Sequence, residues 1–154
     1  PKPTTIYGAT KYKADKYVIK YEKSLILRLP VLYGNNKSSQ LIPKLTYQLR
    51  KNKKIYTSTD VYSTPVYVPN LVNFIVKLIS KDKFGYIIKN YGNLIHFTSK
   101  EYISIYNFMK KISVKLKKSK LVIPVKDKFF DKKSIKPKFL GLRSKYGFFD
   151  TKNI

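Results

Sequence analysis

The sequence predicts an α/β protein in which most strands are parallel. Helical and strand-like segments alternate along the 154 residues, as they do in proteins built from β–α–β units. Residues 25–29 form a short run that is apolar except for Arg28, which is typical of a parallel strand covered on both faces. Residues 69–79 carry apolar side chains at spacings of three and four, and this spacing predicts a helix that packs on such a sheet.

The first helix and the first strand are expected near the start of the chain. Thr4 or Thr5 can cap a helix that runs to about Tyr21. Its apolar face is loose and consists of Ile6, Ala9, Ala14, Tyr17, Val18 and Tyr21. The strand at 25–29 ends at a proline and leads toward the polar loop 35–39. Ligands of open parallel sheets bind at such carboxyl ends of strands.

Three further helices and five further strands account for most of the remaining chain. The helices are predicted at about 41–49, with Ser38 or Ser39 as the cap, at 69–79 and at 105–116, and the strands at 55–57, 64–68, 85–89, 94–97 and 121–125. Ser104 is the expected cap of the last helix, because Ile103 and Phe108 flank it as a hydrophobic staple. Beyond Lys126 the pattern gives way to a lysine-rich tail.

The formal charge of +25 raises the question of an anionic partner such as nucleic acid. Lysine supplies nearly all of this charge, since Arg28, Arg50 and Arg143 are the three arginines among 33 basic residues. Readout of base edges and phosphates favours the arginine fork. The lysines are also scattered along the sequence, apart from short groups at 51–54 and 115–120. Composition therefore argues against nucleic acid as a native partner.

Several kinds of site are disfavoured by what the sequence lacks. The chain has no Cys and a single His, so neither disulfides nor a zinc centre is expected, and no metal site is predicted. His96 is expected to be an ordinary strand residue. No apolar run is long enough to span a membrane, and the default expectation is a cytoplasmic protein without a membrane partner.

Tyrosine and lysine one helical turn apart are the candidate acid–base pair. Five such pairs occur: Tyr7/Lys11, Tyr12/Lys16, Tyr33/Lys37, Tyr47/Lys51 and Tyr106/Lys110. Chance alone predicts roughly three in a chain of this composition, so the spacing by itself says little. Context favours Tyr7 and Lys11, because they enclose the small residues Gly8-Ala9-Thr10 and are followed by a helix and a parallel-type strand.

A linked series of motifs resembles the extended short-chain dehydrogenase/reductase family, in particular its dTDP-4-dehydrorhamnose reductase branch. The series comprises Tyr7-Gly8-Ala9-Thr10-Lys11, then Arg28-Leu29-Pro30-Val31-Leu32-Tyr33-Gly34, then Asp60 through Thr64-Pro65-Val66-Tyr67-Val68, and finally His96-Phe97 through Ser104-x-Tyr106-x-Phe108. It covers most of residues 1–112 in the family's order and spacing. Asn70 departs from the pattern, because the family usually has Asp there.

The resemblance implies a fold and a division of labour along the chain. The fold would be the C-terminal part of a Rossmann-like parallel sheet plus a small α+β substrate-binding subdomain. Residues 1–154 would form one unit, in which about 1–34 end the Rossmann portion and carry the catalytic helix, and 35–154 mainly bind substrate. Because the family's glycine-rich turn lies upstream of the tyrosine and is absent here, the chain is expected to be a C-terminal fragment that neither binds the dinucleotide tightly nor turns over alone.

The resemblance also implies roles for individual residues. Tyr7 would protonate the carbonyl oxygen of a 4-keto sugar while NADPH or NADH delivers hydride, and Lys11 would favour the phenolate and hydrogen-bond the nicotinamide ribose. Both would thus contact the cofactor, as would Pro30 and Val31 at the strand end. The resemblance gives Arg28 no role here, and as a charge inside an apolar strand it is as well suited to a structural ion pair as to a role at the site.

The implied substrate is a nucleotide-diphosphate sugar. Residues expected to face it are Asn35, Asn36, Asp60, Thr64 and Pro65. The expected function is NAD(P)H-dependent reduction of a nucleotide-linked 4-keto-6-deoxy sugar, in an assembly that can be a homodimer. Two alternatives stay open: a nucleotide-sugar epimerase or dehydratase that uses the same tyrosine and lysine, and a noncatalytic relative that serves as a regulatory or binding subunit.

Overall fold

A computed structural model describes residues 3–34, 40–80, 83–130 and 138–144, and these residues form five α-helices and eight short strands. In order they are α1 (Ile6–Val18), β1 (Ile26–Arg28), β2 (Leu32–Tyr33), α2 (Leu41–Arg50), β3 (Ile55–Ser58), β4 (Tyr62–Ser63), β5 (Val66–Tyr67), α3 (Val68–Ser80), α4 (Phe84–Tyr91), β6 (Leu94–His96), β7 (Ile103–Ser104), α5 (Ile105–Lys115) and β8 (Val122–Val125). Two short 3₁₀ turns, Ser119–Leu121 and Asp127–Phe130, flank β8.

The strands associate in pairs, most of them between segments distant in sequence. β1 pairs with β6, β2 with β5 and β3 with β8, all in parallel, while β4 and β7 are antiparallel. Parallel pairs need crossover connections, and here helices supply them. The prediction of an α/β chain with parallel strands is therefore confirmed.

The larger hydrophobic core forms around α5. Phe108 and Met109 are completely buried and pack in one cluster with Leu49 of α2, Ile55 of β3 and Val122 of β8. The start of α5 is set as the sequence predicts, since the Ser104 hydroxyl accepts a hydrogen bond from the Asn107 amide at 3.1 Å. This cap and the burial of Phe108 fix α5 against the β3–β8 pair.

A smaller core lies under α3, the helix predicted from residues 69–79. Leu71 and Phe74 face Phe97, which follows β6, and Val66 of β5. The rings of Phe74 and Phe97 are 5.0 Å apart between centroids. Pro69 lies in the first turn of α3, where its missing N–H costs nothing.

The predicted strand at 85–89 is wrong, because these residues belong to helix α4. The apolar side chains of Phe84, Ile87, Ile88 and Tyr91 recur at helical spacings, and this period outweighs the strand preference of the two adjacent isoleucines. Gly92 follows the helix with a φ of 77°, a left-handed conformation that favours glycine and ends the helix.

Other boundaries differ by a few residues. The first helix ends at Val18 instead of Tyr21, and most of its predicted apolar face is exposed, since α1 contains no buried residue. The N-cap of α2 is Gln40, without a side-chain cap bond, and Ser38 and Ser39 lie outside the described residues. Within the predicted strand 64–68, only Val66–Tyr67 is extended.

Residues 127–130 and 138–144 are more structured than the composition of the chain beyond Lys126 predicts. Residues 138–140 lie beside β4, where the Tyr62 amide donates to the Lys138 carbonyl at 2.9 Å and the Leu140 amide donates to the Tyr62 carbonyl at 2.8 Å. β4 is therefore paired on one edge with β7 and on the other with this late segment. Long-range backbone pairing of this kind has no local signature in sequence.

Candidate functional site

Tyr7 and Lys11 lie in the first two turns of α1. The helix begins as predicted, with the Thr5 hydroxyl accepting from the Gly8 amide at 3.0 Å. A Cβ at residue 8 would lie 3.2 Å from the Thr5 hydroxyl oxygen and 3.3 Å from Pro3 Cβ. Glycine at this position therefore leaves room for the N-terminal cap. This is a local reason for glycine, in addition to the expectation from sequence that a small residue here lets a ligand approach.

The two side chains of the candidate pair lie together on the solvent side of the helix. The Lys11 ammonium is 5.7 Å from the centroid of the Tyr7 ring, within the range of a cation–π contact. Tyr7 is 73% exposed, and Lys11 is exposed as well. The phenol and the ammonium are thus adjacent and open to a ligand.

The rival pairs show which feature separates Tyr7 and Lys11 from chance. Tyr47 and Lys51 have nearly the same geometry, with 5.9 Å between ammonium and ring centroid. Tyr33 is only 6% exposed, and its burial raises its pKa, so its hydroxyl stays protonated and out of reach. The mutual geometry of tyrosine and lysine therefore does not identify the site. The residues and elements around the pair have to identify it.

An ion pair ties the helix of Tyr7 and Lys11 to the first strand. Arg28 donates to one carboxylate oxygen of Asp15, from Nε at 2.9 Å and from a terminal nitrogen at 2.7 Å. The sequence left the role of Arg28 open, and in the structure its guanidinium makes this ion pair. The partner, Asp15, was not predicted. Its four-residue step from Lys11 places it along the same side of α1, but this spacing does not indicate a partner on β1.

We expect Asp15→Asn to weaken the attachment of α1. The Arg28 guanidinium would keep its half-buried position without a counterion, and we expect a cost of about 1–2 kcal/mol. Faster amide hydrogen exchange along α1 measures this loss. Glu101→Gln is the matched control, because the Glu101–Lys111 pair is more exposed and should contribute less than about 0.5 kcal/mol. Unchanged protection of α1 in the Asp15 variant would contradict the assignment.

Pro30 and Val31 connect β1 to β2 and are both half-buried. The Val31 carbonyl accepts from the Val66 amide at 2.9 Å, which joins this connection to β5, and the Val31 side chain packs on the larger core. Because Arg28 lies two residues before Pro30, the ion pair links α1 to the strand that leads into Pro30 and Val31. Contact of these two residues with a cofactor stays a prediction.

Asp60, predicted to face a substrate, caps a turn within the chain. Its Oδ1 accepts from the Ser58 hydroxyl and from the Asp127 amide, both at 2.8 Å. These two hydrogen bonds lower the pKa of the Asp60 carboxyl below its ordinary value. The carboxylate therefore fixes the end of β3 to the 3₁₀ turn that follows β8.

The lowered pKa of Asp60 predicts a specific loss of stability in acid. A carboxyl whose pKa is lower in the folded chain stabilises the fold above its unfolded-state pKa, and this contribution disappears as the pH falls through the folded-state pKa. Below the ordinary value of 3.8, the free energy of unfolding should fall more steeply in the wild type than in Asp60→Asn. Urea titrations at several pH values measure both slopes. Glu22→Gln, at an exposed acid, should leave the wild-type slope unchanged.

Thr64 and Pro65 are buried instead of lining a surface. The Thr64 hydroxyl accepts from the Thr98 hydroxyl at 2.6 Å and from the Leu142 amide at 3.1 Å. It thereby anchors residues 138–144 to the end of β6, a structural role that the sequence did not reveal. Substrate binding by Thr64 and Pro65 stays a prediction, and Asn35 and Asn36 lie outside the described residues.

His96 is the last residue of β6, where it pairs with Arg28 of β1. Its Nδ1 lies 2.9 Å from the Arg143 carbonyl oxygen, to which it donates, because a carbonyl can only accept. This fits the expected role of an ordinary strand residue. Within residues 3–34, 40–80, 83–130 and 138–144, no three His, Cys, Asp or Glu side chains are grouped as metal ligands would be. In the same ranges, every helix is too short or too polar to cross a bilayer.

Comparison with models of protein families assigns the chain to one family. Residues 1–146 match the model of the RmlD substrate binding domain. The chain belongs to this family. No curated protein sequence matches it significantly.

Solved structures extend this likeness to the fold. The dTDP-4-dehydrorhamnose reductase of Bacillus anthracis, in complex with NADP, is 28% identical with a TM-score of 0.78, over 97% of this chain and 52% of that protein. An orthologue from Clostridium acetobutylicum is 27% identical with a TM-score of 0.75, over 93% of this chain and 48% of that protein. This RmlD-family chain thus spans about half the length of these reductases.

A more distant structure shares only the fold. The dTDP-glucose 4,6-dehydratase of Bacillus anthracis, in complex with NAD, is 16% identical with a TM-score of 0.70, over 93% of this chain and 44% of that protein. The Rossmann-like α/β architecture expected from the sequence is therefore shared with this dehydratase as well as with the reductases.

Proposed function

We propose that this chain supplies the catalytic tyrosine and lysine, and the substrate-binding part, of an NAD(P)H-dependent reductase of nucleotide-linked 4-keto-6-deoxy sugars. The observation that carries the proposal is the exposed Tyr7–Lys11 pair, in a chain of the RmlD family, on a helix that the Asp15–Arg28 ion pair ties to the first parallel strand. Tyr47 and Lys51 share the geometry but lie on α2. Tyr12 and Lys16 share both the geometry and the helix, but they lack the Gly8-Ala9-Thr10 insert of the family motif.

Tyr7 has the chemistry of the proton donor. A phenol placed beside a cation can give a proton to a developing alkoxide and be left as a stabilised phenolate. Lys11 provides that cation from one turn away. Because Tyr7 is 73% exposed, its hydroxyl can reach a carbonyl oxygen brought to the helix.

The residues present fit the nicotinamide end of a dinucleotide. Tyr7 and Lys11 leave an open polar face on α1, since this helix contains no buried residue. When bound, NADPH or NADH supplies the hydride that reduces the ketone. Lys11 would hydrogen-bond the nicotinamide ribose, and Pro30 and Val31 would border the nicotinamide at the strand end.

The cofactor pyrophosphate needs a glycine-rich turn at a helix N-terminus, which this sequence does not contain. We therefore propose that residues 1–34 complete a Rossmann portion and that residues 35–154 mainly bind the nucleotide-diphosphate sugar. Isothermal titration of the 154-residue chain with NADPH should show no micromolar binding, and micromolar binding would contradict this division.

A chimera tests the function directly. The dinucleotide-binding half of the Bacillus anthracis reductase, joined to this chain in place of its own second half, should oxidise NADPH when dTDP-4-dehydrorhamnose is added. Binding of NADPH to the chimera, measured first, shows that the cofactor half is intact. A chimera that binds NADPH but reduces no 4-keto sugar would contradict the proposal.

The same chimera separates the alternatives. Loaded with NAD, an epimerase would interconvert nucleotide sugars without net oxidation, and a dehydratase would release water from a nucleotide sugar. A noncatalytic binding subunit would bind the nucleotide sugar in titrations and convert none. Retention of both Tyr7 and Lys11 favours an enzyme over a binding subunit, because binding alone needs neither group.

A further inference from the structure

Two lysine-rich segments that are distant in sequence lie together in the folded chain. Residues 50–54 begin at the last residue of α2 and lead into β3, and residues 115–120 begin at the last residue of α5 and lead into β8. Because β3 and β8 are parallel and in register from Ile55 and Val122, the two segments enter the pair side by side, at strands separated by about 4.8 Å. The Lys118 ammonium also donates to the side chain of Asn52 across the gap. We call these two segments the basic end.

The charge of the basic end is high and unbalanced. It carries eight cationic side chains, namely Arg50, Lys51, Lys53, Lys54, Lys115, Lys117, Lys118 and Lys120, and neither segment contains an acidic residue. Seven of the eight are exposed and Lys118 is half-exposed. The acidic residues nearest to these strands in sequence, Asp60 and Asp127, follow the opposite, carboxyl ends of β3 and β8.

Helix capping explains only a small part of this charge. Both α2 and α5 end at the basic end, and each helix C-terminus carries the equivalent of about half a negative charge. The two helix ends together therefore offset about one of the eight positive charges. The remaining cations repel one another, and a polyanion would relieve that repulsion.

We propose that the basic end binds the phosphate backbone of nucleic acid. The scatter of lysines along the sequence argues against such a partner, but the pairing of β3 with β8 gathers the two lysine groups into one surface. Lysine contacts phosphate as a point charge and lacks the bidentate fork with which arginine reads base edges, so the proposed binding is independent of sequence. An anionic membrane is less favoured, because neither segment exposes a large apolar side chain that could enter a bilayer. This proposal does not depend on the proposed reductase function.

Matched lysine variants of the 154-residue chain test the proposal. One variant combines Lys51→Gln, Lys53→Gln and Lys54→Gln, and a second combines Lys115→Gln, Lys117→Gln and Lys120→Gln, which keeps the Lys118 contact. The control combines Lys13→Gln, Lys77→Gln and Lys89→Gln, three exposed lysines on α1, α3 and α4. All three variants lose the same net charge, and equal melting temperatures show that each is folded.

Binding is measured by fluorescence anisotropy with a labelled DNA duplex of mixed sequence, over a range of salt concentrations. Each basic-end variant should bind at least about tenfold more weakly, and the slope of log affinity against log salt should fall by roughly 2.7, since each lost phosphate contact contributes about 0.9. The control should change affinity less than about twofold. Equal weakening by the control, no binding by the wild type, or tighter binding to phosphatidylserine vesicles than to the duplex would each overturn the proposal.

Discussion

Tyr7→Phe should nearly abolish turnover in a protein that joins this chain to a dinucleotide-binding half. The substitution removes the one hydroxyl that the proposed chemistry uses as proton donor, and general acid catalysis typically contributes roughly 100- to 10,000-fold. We therefore expect kcat for keto-sugar reduction to fall by roughly that factor. Affinity for NADPH should change little, because Lys11 and the strand-end residues remain.

Tyr47→Phe is the matched control for this experiment. Tyr47 sits one turn from Lys51 with an ammonium-to-ring distance of 5.9 Å, against 5.7 Å for Tyr7 and Lys11. If tyrosine–lysine proximity alone conferred activity, both substitutions would impair it. Full activity in Tyr7→Phe, or equal losses in the two variants, would contradict the assignment of Tyr7.

Phe108→Ala should be the most destabilising single substitution considered for this chain. Phe108 is completely buried in the larger core, and its ring meets that of Tyr33 edge-on at 5.0 Å. Truncating a buried phenylalanine to alanine leaves a cavity and typically costs about 3–5 kcal/mol. That is a large fraction of the total stability of a domain, which is about 5–15 kcal/mol.

Urea unfolding measures this loss, and Phe129→Ala provides the comparison. Phe129 is 55% exposed and stacks on Tyr56 at 5.1 Å, so its removal should cost less than about 1 kcal/mol. Similar losses in both variants would mean that the core is not organised around α5.

Local patterns predicted those parts of the fold that local chemistry determines. The Thr5 and Ser104 caps, the amphipathic helix α3 and the parallel strand β1 all follow from residues close in sequence. The prediction of a strand at 85–89 was wrong because a five-residue segment with three apolar side chains fits both the strand and the helix period. Phe84 and Tyr91 have to be included before the helical period is evident.

Contacts between distant segments could not be predicted in the same way. Nothing near Thr64 in sequence indicates that the Leu142 amide will donate to its hydroxyl. Likewise, nothing near Asn52 indicates that Lys118 will donate to its side chain. For the candidate site, the motif singled out Tyr7, Lys11 and Arg28. The ion pair between Asp15 and Arg28 could be recognised only from the three-dimensional position of β1 relative to α1.

The late segment beside β4 has a consequence for association between copies of the chain. β4 hydrogen-bonds to residues 138–140 on the edge opposite β7, so neither edge of this strand is left as a template for another chain. Gly141 makes the fit possible, because a Cβ there would lie 2.8 Å from the ring of Tyr102. A chain shortened to end before Lys138 would leave the backbone amide and carbonyl of Tyr62 without these hydrogen bonds. The exposed edge of β4 could then pair with another chain and promote aggregation. Residues 138–140 thus protect this edge of β4 from pairing with a second chain.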